Sequence, residues 1–144
     1  SNMTYFRPEG NDMTLVGNGN REHIVDPENY NPKPSMDYLE DVWLRLSKRI
    51  PSIAEGEYFT GYAGLYTSTP DTHPILDQID GIDGLYICTG FSGHGFKLAP
   101  AVGVCMAELI TEGHSSFVDI SSLKSSRFSE GKLNQISYDF RVIG

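Results

Sequence analysis

The chain has 144 residues, which is enough for one domain of ordinary size with its own apolar core. With 11 Lys and Arg against 19 Asp and Glu, its net charge is −8, and no basic stretch is clustered. This pattern excludes the electrostatic footprint of a nucleic-acid-binding protein and disfavours anionic membrane surfaces, so small molecules are the expected partners.

The N-terminal part of the sequence predicts a hairpin followed by one helix. Short strands are indicated at residues 5–7 and 14–17, on either side of a turn-rich stretch at 8–12. A proline-containing loop then leads to Ser35, which is placed to cap a helix that ends before Pro51. The helix is expected to pack through an apolar stripe made of Met36, Leu39, Val42, Trp43, Leu46 and Ile50.

Strands and turns are predicted for the middle of the chain. Aromatic and β-branched residues favour a long strand over 57–69, and the polar stretch 69–72 favours a turn. A short strand at 74–76 and a second turn at 81–84 then lead to an apolar strand at 84–89.

The C-terminal part begins with a loop at 90–97, followed by a helix at 98–112 that ends at Gly113. A polar tail begins at Ser121. Its last apolar residues alternate and predict an added edge strand. They are Ile136, Tyr138, Phe140 and Val142.

The loop at 90–97 reads G-F-S-G-H-G-F-K and points most directly to a ligand site. Its three glycines let backbone amides approach a ligand, and the helix start behind them adds a partial positive charge. This chemistry suits an anion or the electron-rich edge of a cofactor. The loop lacks the G-K-[ST] of a phosphate loop, reverses the glycine order of the dinucleotide fingerprint, and does not match the G-x-S-x-G nucleophile elbow.

The strand before this loop is apolar on both faces, which is typical of a strand inside a parallel sheet. The chain supplies almost no partners for such a sheet. We therefore expect this chain to be part of a larger enzyme and to carry one wall of its active site. Ser1 and Asn2 are expected to be a remnant of tag removal, with the natural gene product longer than this chain.

The cysteines and histidines favour neither disulfides nor a metal. Cys88 and Cys105 lie in apolar segments without C-x-x-C spacing, so they are predicted to be reduced core residues of a cytoplasmic protein. The histidines are scattered without the spacing of metal ligands, and no metal site is expected. They are His23, His73, His94 and His114. No apolar run is long enough to predict a membrane span.

Two motifs together carry a family resemblance. The stretch Y-T-S-T-P-D-T-H-P-I at 66–75, followed by G-F-S-G-H-G-F-K at 90–97, resembles the C-terminal part of FAD-dependent amine oxidoreductases of the D-amino-acid oxidase superfamily. The branch most similar to it contains sarcosine oxidase, its heterotetrameric β subunit and dimethylglycine dehydrogenase. The resemblance extends from Tyr5 to Phe128.

The resemblance implies an α+β fold, a fragment of the D-amino-acid oxidase-like fold with a mostly antiparallel sheet covered by helices. Residues 3–83 would then be a portion of the substrate domain. Residues 84–120 would be the strand, glycine-rich loop and helix of the FAD domain, and 121–144 the C-terminal tail. The N-terminal Rossmann half that holds the dinucleotide is expected to be absent from this chain.

The same resemblance assigns site residues. The loop that would lie against the flavin ring consists of Gly90, Phe91, Ser92, Gly93, His94, Gly95, Phe96 and Lys97. Lys97 matches a lysine that holds the substrate carboxylate or assists oxygen activation, and His94 matches a histidine beside flavin and substrate. Tyr66 matches an aromatic wall of the substrate pocket. The alternatives are a solvated lysine, a turn histidine and a core tyrosine. Thr69, Pro70 and Asp71 are expected to shape their turn.

The implied reaction is oxidation of a secondary or N-methylated amino acid, such as sarcosine, to an imine with hydride transfer to FAD. The FAD is expected to be non-covalent, because Gly64 stands on the strand where monomeric sarcosine oxidases carry an attachment cysteine. The isolated fragment is expected to be inactive without its N-terminal half or a partner subunit. The alternatives are a non-catalytic assembly or binding subunit that retains the fold, and a homodimer formed through uncovered apolar surfaces.

Overall fold

A computed structural model describes residues 4–18 and 24–135. The chain divides into two compact units between Leu65 and Tyr66, called here the first and second units. The α+β fold class is confirmed, since helices accompany strands that pair antiparallel. The described strands form two separate two-stranded sheets. The assignment of 3–83 and 84–120 to two domains of a parent protein stays a prediction.

The first unit begins with the predicted hairpin, formed by β1 (Thr4–Gly10) and β2 (Met13–Asn18). The turn is tighter than the sequence indicated, because only Asn11 and Asp12 separate the strands. Both have left-handed backbones, with φ of 51° and 58°. This is the conformation that a two-residue hairpin turn requires, and Asn and Asp tolerate it better than most residues do.

The helix α1 (Met36–Arg49) packs against this hairpin and confirms the prediction. The Ser35 hydroxyl accepts a hydrogen bond from the Tyr38 amide at 3.2 Å, which satisfies one of the free donors at the helix start. Val42 and Leu46 are the buried residues of its apolar stripe, whereas Met36 at the first turn is exposed. A short 3₁₀ turn follows at Pro51–Glu55.

The long strand predicted over 57–69 is wrong. These residues form no strand, and the aromatic side chains of Tyr58, Phe59 and Tyr62 are largely exposed. One backbone bond holds the middle of the segment, from the Ala63 amide to the Pro32 carbonyl at 2.7 Å. Strand propensity is expressed only where a neighbour supplies a ladder, and no described strand runs beside this segment.

The second unit is built on a hairpin of β3 (Ile75–Gln78) and β4 (Tyr86–Thr89). Left-handed glycines at the predicted turn, Gly81 and Gly84, let the chain reverse. β4 therefore has an antiparallel partner, although its sequence is typical of parallel sheets. Its Cys88 is exposed, so the prediction that this cysteine lies in the core is wrong, because one face of a two-stranded sheet stays open.

The helix α2 (Gly95–Glu112) covers β3 and supplies half of the core residues of the second unit. The buried centre of this core is Leu76, Cys105 and Ile120. Partly buried apolar side chains surround it, namely Phe91, Val102, Met106, Leu109 and Leu123. The helix ends at Gly113 as predicted, with φ of 79° and its amide bonded to the Leu109 carbonyl at 3.1 Å.

The chain after α2 is held by polar contacts. The carboxylate of Glu108 accepts hydrogen bonds from the amides of Ser116 and Phe117 and from the Ser115 hydroxyl at 2.8–3.0 Å. These bonds lower the pKa of Glu108 to about 2. Two 3₁₀ turns follow at Ser121–Leu123 and Ser125–Arg127. The edge strand predicted at 136–142 lies outside the described residues.

Candidate functional site

The glycine-rich loop leaves β4 and bends at once at Gly90. This residue is buried and has a φ of 72°, which favours glycine. A Cβ atom placed on Gly90 would lie 2.5 Å from Cγ2 of Thr69. The loop therefore lies directly on the turn at 69–72, and the close approach of Thr69 explains why a glycine is needed here.

Ser92 joins the loop to the preceding motif. It is 1% exposed and has a φ of 52°, a left-handed conformation that is uncommon for a residue with a side chain. Its amide donates to the Thr67 carbonyl at 3.0 Å, and its hydroxyl accepts from the Thr69 amide at 3.2 Å. The same hydroxyl donates to the Gly90 carbonyl at 3.2 Å. Every one of these contacts is made within the protein.

Gly93 brings the loop against Tyr66. A Cβ on Gly93 would lie 3.1 Å from Cε1 of the tyrosine ring, and the φ of Gly93 is 90°. The ring of Tyr66 remains partly exposed. The two motifs that carried the family resemblance are thus side by side in the structure, and the aromatic residue predicted to wall a pocket stands next to the loop.

The helix α2 begins inside the loop, three residues before the start predicted from the sequence. His94 precedes the helix with a helical backbone, and its amide donates to the Phe91 carbonyl at 2.9 Å. The first amides of a helix have no acceptor within it and carry the positive end of the helix dipole. Phe96 in this first turn is 98% exposed, so the helix start faces outward.

The electrostatics of the helix start favour a negative or electron-rich ligand. The first turn of α2 contains no acidic residue, and it carries Lys97. Lys97 is exposed and makes no hydrogen bond or ion pair with another described side chain. The structure thus places Tyr66 against Gly93 and His94 at the helix start. Within the described residues, no hydrogen bond joins Lys97 to Tyr66.

A buried ion pair behind the loop was not predicted from the sequence. Nε and Nη2 of Arg127 lie 2.7 Å and 3.0 Å from the two carboxylate oxygens of Asp71. Both side chains are almost fully buried, at 4% and 1% exposure. Arg127 also donates to the carbonyls of His73, Leu123 and Lys124 at 2.8–3.0 Å. The two residues are 56 positions apart, and no spacing rule could have paired them.

This pair shifts the acidity of Asp71. Burial alone raises the pKa of the carboxyl, but hydrogen bonds from Arg127 and from the His73 and Asn134 amides outweigh it. The resulting pKa lies well below its usual range. Asp71 is therefore ionised and fully bonded, and it shapes the turn, as the sequence predicted, rather than taking part in proton transfer.

Other kinds of site receive little support from the described part of the chain. Residues 4–18 and 24–135 hold no group of three or more His, Cys, Asp or Glu side chains arranged for a metal ion. Within the same ranges, no helix is both long and apolar enough to cross a membrane. An open depression of about 540 Å³ lies beside Asp71 and Asn134, and none of its lining residues belongs to the loop.

Comparison with known proteins supports the resemblance that the motifs suggested. Residues 1–109 match the model of the family described as FAD dependent oxidoreductase. FAD-dependent oxidoreductase domain-containing protein 1 of Bos taurus is 34% identical over 133 residues, which is 91% of this chain and 27% of that protein. Peroxisomal sarcosine oxidase of Mus musculus is 49% identical over 109 residues, 73% of this chain and 27% of that protein.

A solved structure extends the match to the fold. The crystal structure of L-proline dehydrogenase from P. horikoshii has a TM-score of 0.77 at 33% identity, covering 91% of this chain and 34% of that one. The chain thus spans about a quarter to a third of the length of the relatives it matches. With a family match over 109 of its residues, including most of α2, the chain belongs to the FAD-dependent oxidoreductases of the D-amino-acid oxidase superfamily.

Proposed function

We propose that this chain supplies the flavin-facing wall of an FAD-dependent oxidoreductase that oxidises a secondary or N-methylated amino acid to an imine. One observation carries the proposal. The glycine-rich loop is anchored at Gly90 and Ser92, and it turns the open start of α2 outward. A loop that is fixed at its base and exposed at its tip is suited to present amides to a flat ring.

The residues of the loop fit the ring edge of FAD. The amides at the start of α2 and its dipole favour negative charge, and no carboxylate in the first turn opposes this. When bound, FAD would accept a hydride from the substrate carbon next to nitrogen, while the nitrogen loses a proton and a carbon–nitrogen double bond forms. The chain's contribution is a fixed set of donors near the ring edge where negative charge accumulates.

The names of the relatives support the substrate class. They include oxidases of sarcosine and of N-methyl-L-tryptophan, and a dehydrogenase of L-proline. All three substrates are α-amino acids with a substituted amine nitrogen. We assign the ammonium of Lys97 to the substrate carboxylate, the ring of Tyr66 to one wall of the pocket, and His94, which precedes α2, to a position beside flavin and substrate. Gly64 leaves the flavin without a cysteine attachment at that position.

The remaining part of the parent protein is the partner that this proposal requires. The helix α2 has a high proportion of apolar residues, yet Cys105 is the one residue buried in it, and Val104 and Ile110 are exposed. A helix that is apolar on several faces is normally covered on several faces. We assign the cover to an FAD-holding half, in the same polypeptide or in a separate subunit.

The test uses the full-length parent protein, or this chain co-expressed with the FAD-holding half. The expected product is yellow, with FAD released by denaturation and its visible absorbance bleached anaerobically by sarcosine or L-proline. Primary amino acids such as glycine serve as the control substrates and should bleach it far more slowly. A colourless complex would contradict the proposal and favour a non-catalytic assembly subunit. A yellow protein that no secondary amino acid bleaches would overturn the substrate class alone.

A further inference from the structure

We propose that Ser92 is a positioning residue, which sets the direction of the amides at 93–97 without itself contacting the flavin. The inference rests on the proposed function of the loop. The resemblance to known enzymes had grouped Ser92 with the cofactor contacts. Its surroundings in the structure assign it a different role.

The hydroxyl of Ser92 has no proton left to donate to a ligand. A serine hydroxyl provides one donor and two acceptor positions. The donor is directed to the Gly90 carbonyl at 3.2 Å, and one acceptor position takes the Thr69 amide at 3.2 Å. With 1% of the residue exposed, a ring outside the loop has no access to this oxygen.

The backbone of Ser92 is held in a costly conformation, and glycine would adopt it more readily. The φ of Ser92 is 52°, and Gly90 and Gly93 on either side of the pair Phe91–Ser92 also have positive φ. Loops elsewhere use glycine at such positions because a Cβ atom is strained there. A serine is useful at this position because its hydroxyl ties the bend to the neighbouring turn, and a glycine would leave that tie unmade.

The turn that receives Ser92 is itself fixed at several points. The Thr69 carbonyl accepts from the Thr72 amide at 3.1 Å, and the Thr69 hydroxyl donates to the His73 carbonyl at 2.7 Å. Asp71, two residues after Thr69, accepts two hydrogen bonds from Arg127. Through its hydrogen bonds, Ser92 therefore fixes the bend at the start of the loop relative to the turn at 69–72.

Two substitutions of Ser92 distinguish the effect of its hydroxyl from the effect of backbone strain at positive φ. Ser92→Ala removes the hydroxyl and keeps a Cβ atom at positive φ, whereas Ser92→Gly removes the hydroxyl and also the strain. Ser68→Ala is the control, because Ser68 is an exposed serine next to Thr69, the residue that Ser92 contacts. All three variants are made in the full-length protein. Hydrogen–deuterium exchange of residues 93–97 is measured without flavin, and the midpoint potential of bound FAD is measured by titration.

Both Ser92 variants are expected to exchange the amides at 93–97 about fivefold to tenfold faster than wild type, because each loses bonds that hold the bend. The midpoint potential should become more negative by about 30 mV, which corresponds to a tenfold weaker preference for the reduced cofactor in a two-electron couple. The Gly variant should unfold at a higher temperature than the Ala variant, while both show the same change in potential. Ser68→Ala should match wild type in all three measurements.

The outcomes distinguish this inference from the function on which it rests. A wild-type protein that holds no FAD overturns the proposed function. If wild type holds FAD, and both Ser92 variants melt earlier but keep the wild-type potential and exchange rates, the role of Ser92 is structural and the inference is wrong. If the flavin spectrum changes with Ser92→Ala while amide exchange at 93–97 does not, direct contact with the ring replaces positioning.

Discussion

Arg127 holds Asp71 through two parallel hydrogen bonds, Nε to Oδ2 at 2.7 Å and Nη2 to Oδ1 at 3.0 Å. This fork-to-fork geometry fixes both the distance and the plane of the two groups. Because Asp71 belongs to the turn beneath the glycine-rich loop and Arg127 to the chain after α2, the pair connects the loop's support to the C-terminal part of the second unit.

Breaking one side of this pair should destabilise the protein strongly. In Arg127→Leu the carboxylate of Asp71 stays buried without its cation, and a loss of about 3–5 kcal/mol in the free energy of unfolding is expected. Arg45→Ala is the control, since it breaks an exposed pair with Asp41 and should cost about 0.5 kcal/mol or less. Urea unfolding measures both. Equal effects of the two substitutions would show that burial of the Asp71–Arg127 pair has no energetic consequence.

The same pair predicts the direction of acid sensitivity. The pKa of Asp71 lies below its ordinary value of 3.8 in the folded protein, so the unfolded state binds the proton first as the pH falls. The stabilisation is complete above pH 3.8 and is lost progressively below it. Urea midpoints measured from pH 6 down to pH 3 should fall for wild type. They should fall less steeply for Asp71→Asn, which has no carboxyl to protonate, and parallel curves would contradict this assignment.

Gly90→Ala should test the contact between loop and turn. The added Cβ would lie 2.5 Å from Thr69 and would also sit at positive φ, so a loss of about 2–4 kcal/mol is expected. Gly84→Ala is matched in backbone, with a φ of 76° against 72°, but its Cβ would meet no atom within 4 Å. It should cost about 1 kcal/mol. The difference between the two variants measures how tightly the loop lies on Thr69.

Lys97→Ala should separate carboxylate binding from other uses of this lysine. In the flavin-loaded full-length protein, kcat/KM for an N-methyl amino acid is expected to fall about 100-fold through loss of a charged contact. For an N-methyl amine that lacks the carboxylate, the change should stay below about threefold. Lys48→Ala, an exposed lysine on α1, is the control. An equal fall for both substrates would contradict carboxylate binding and favour a role in oxygen activation.

Local signals predicted the elements of the chain well. Ser35 capped the first helix, Gly113 ended the second, and the turn at 81–84 led into β4, because each depends on residues close in sequence. The prediction of a strand at 57–69 was wrong because aromatic and β-branched residues favour a strand only where a partner strand pairs with them. The prediction that Cys88 is buried was wrong for a related reason, because the sequence alone does not say which face of a strand is covered.

The candidate site was predictable as a set of motifs but not as an arrangement. The glycines indicated where the backbone bends, and the resemblance grouped Tyr66 with the loop. Neither revealed that the Ser92 hydroxyl accepts a hydrogen bond from the Thr69 amide, nor that Arg127 pairs with Asp71 from 56 positions away. Contacts between distant residues depend on tertiary packing, and one sequence without its homologues carries no local trace of them.

The contact of Thr69 with Ser92 closes a loop of the chain at its base, with the β3–β4 hairpin projecting from the closed end. The exposed tip of that hairpin, around Ile82 and Gly84, is separated from the closure by the whole ladder. The tip of the hairpin is thus remote in the ladder from the bend at the start of the glycine-rich loop. A fluorescent label or an inserted peptide could be attached there to follow assembly with the proposed FAD-holding half while the amides at 93–97 keep their alignment.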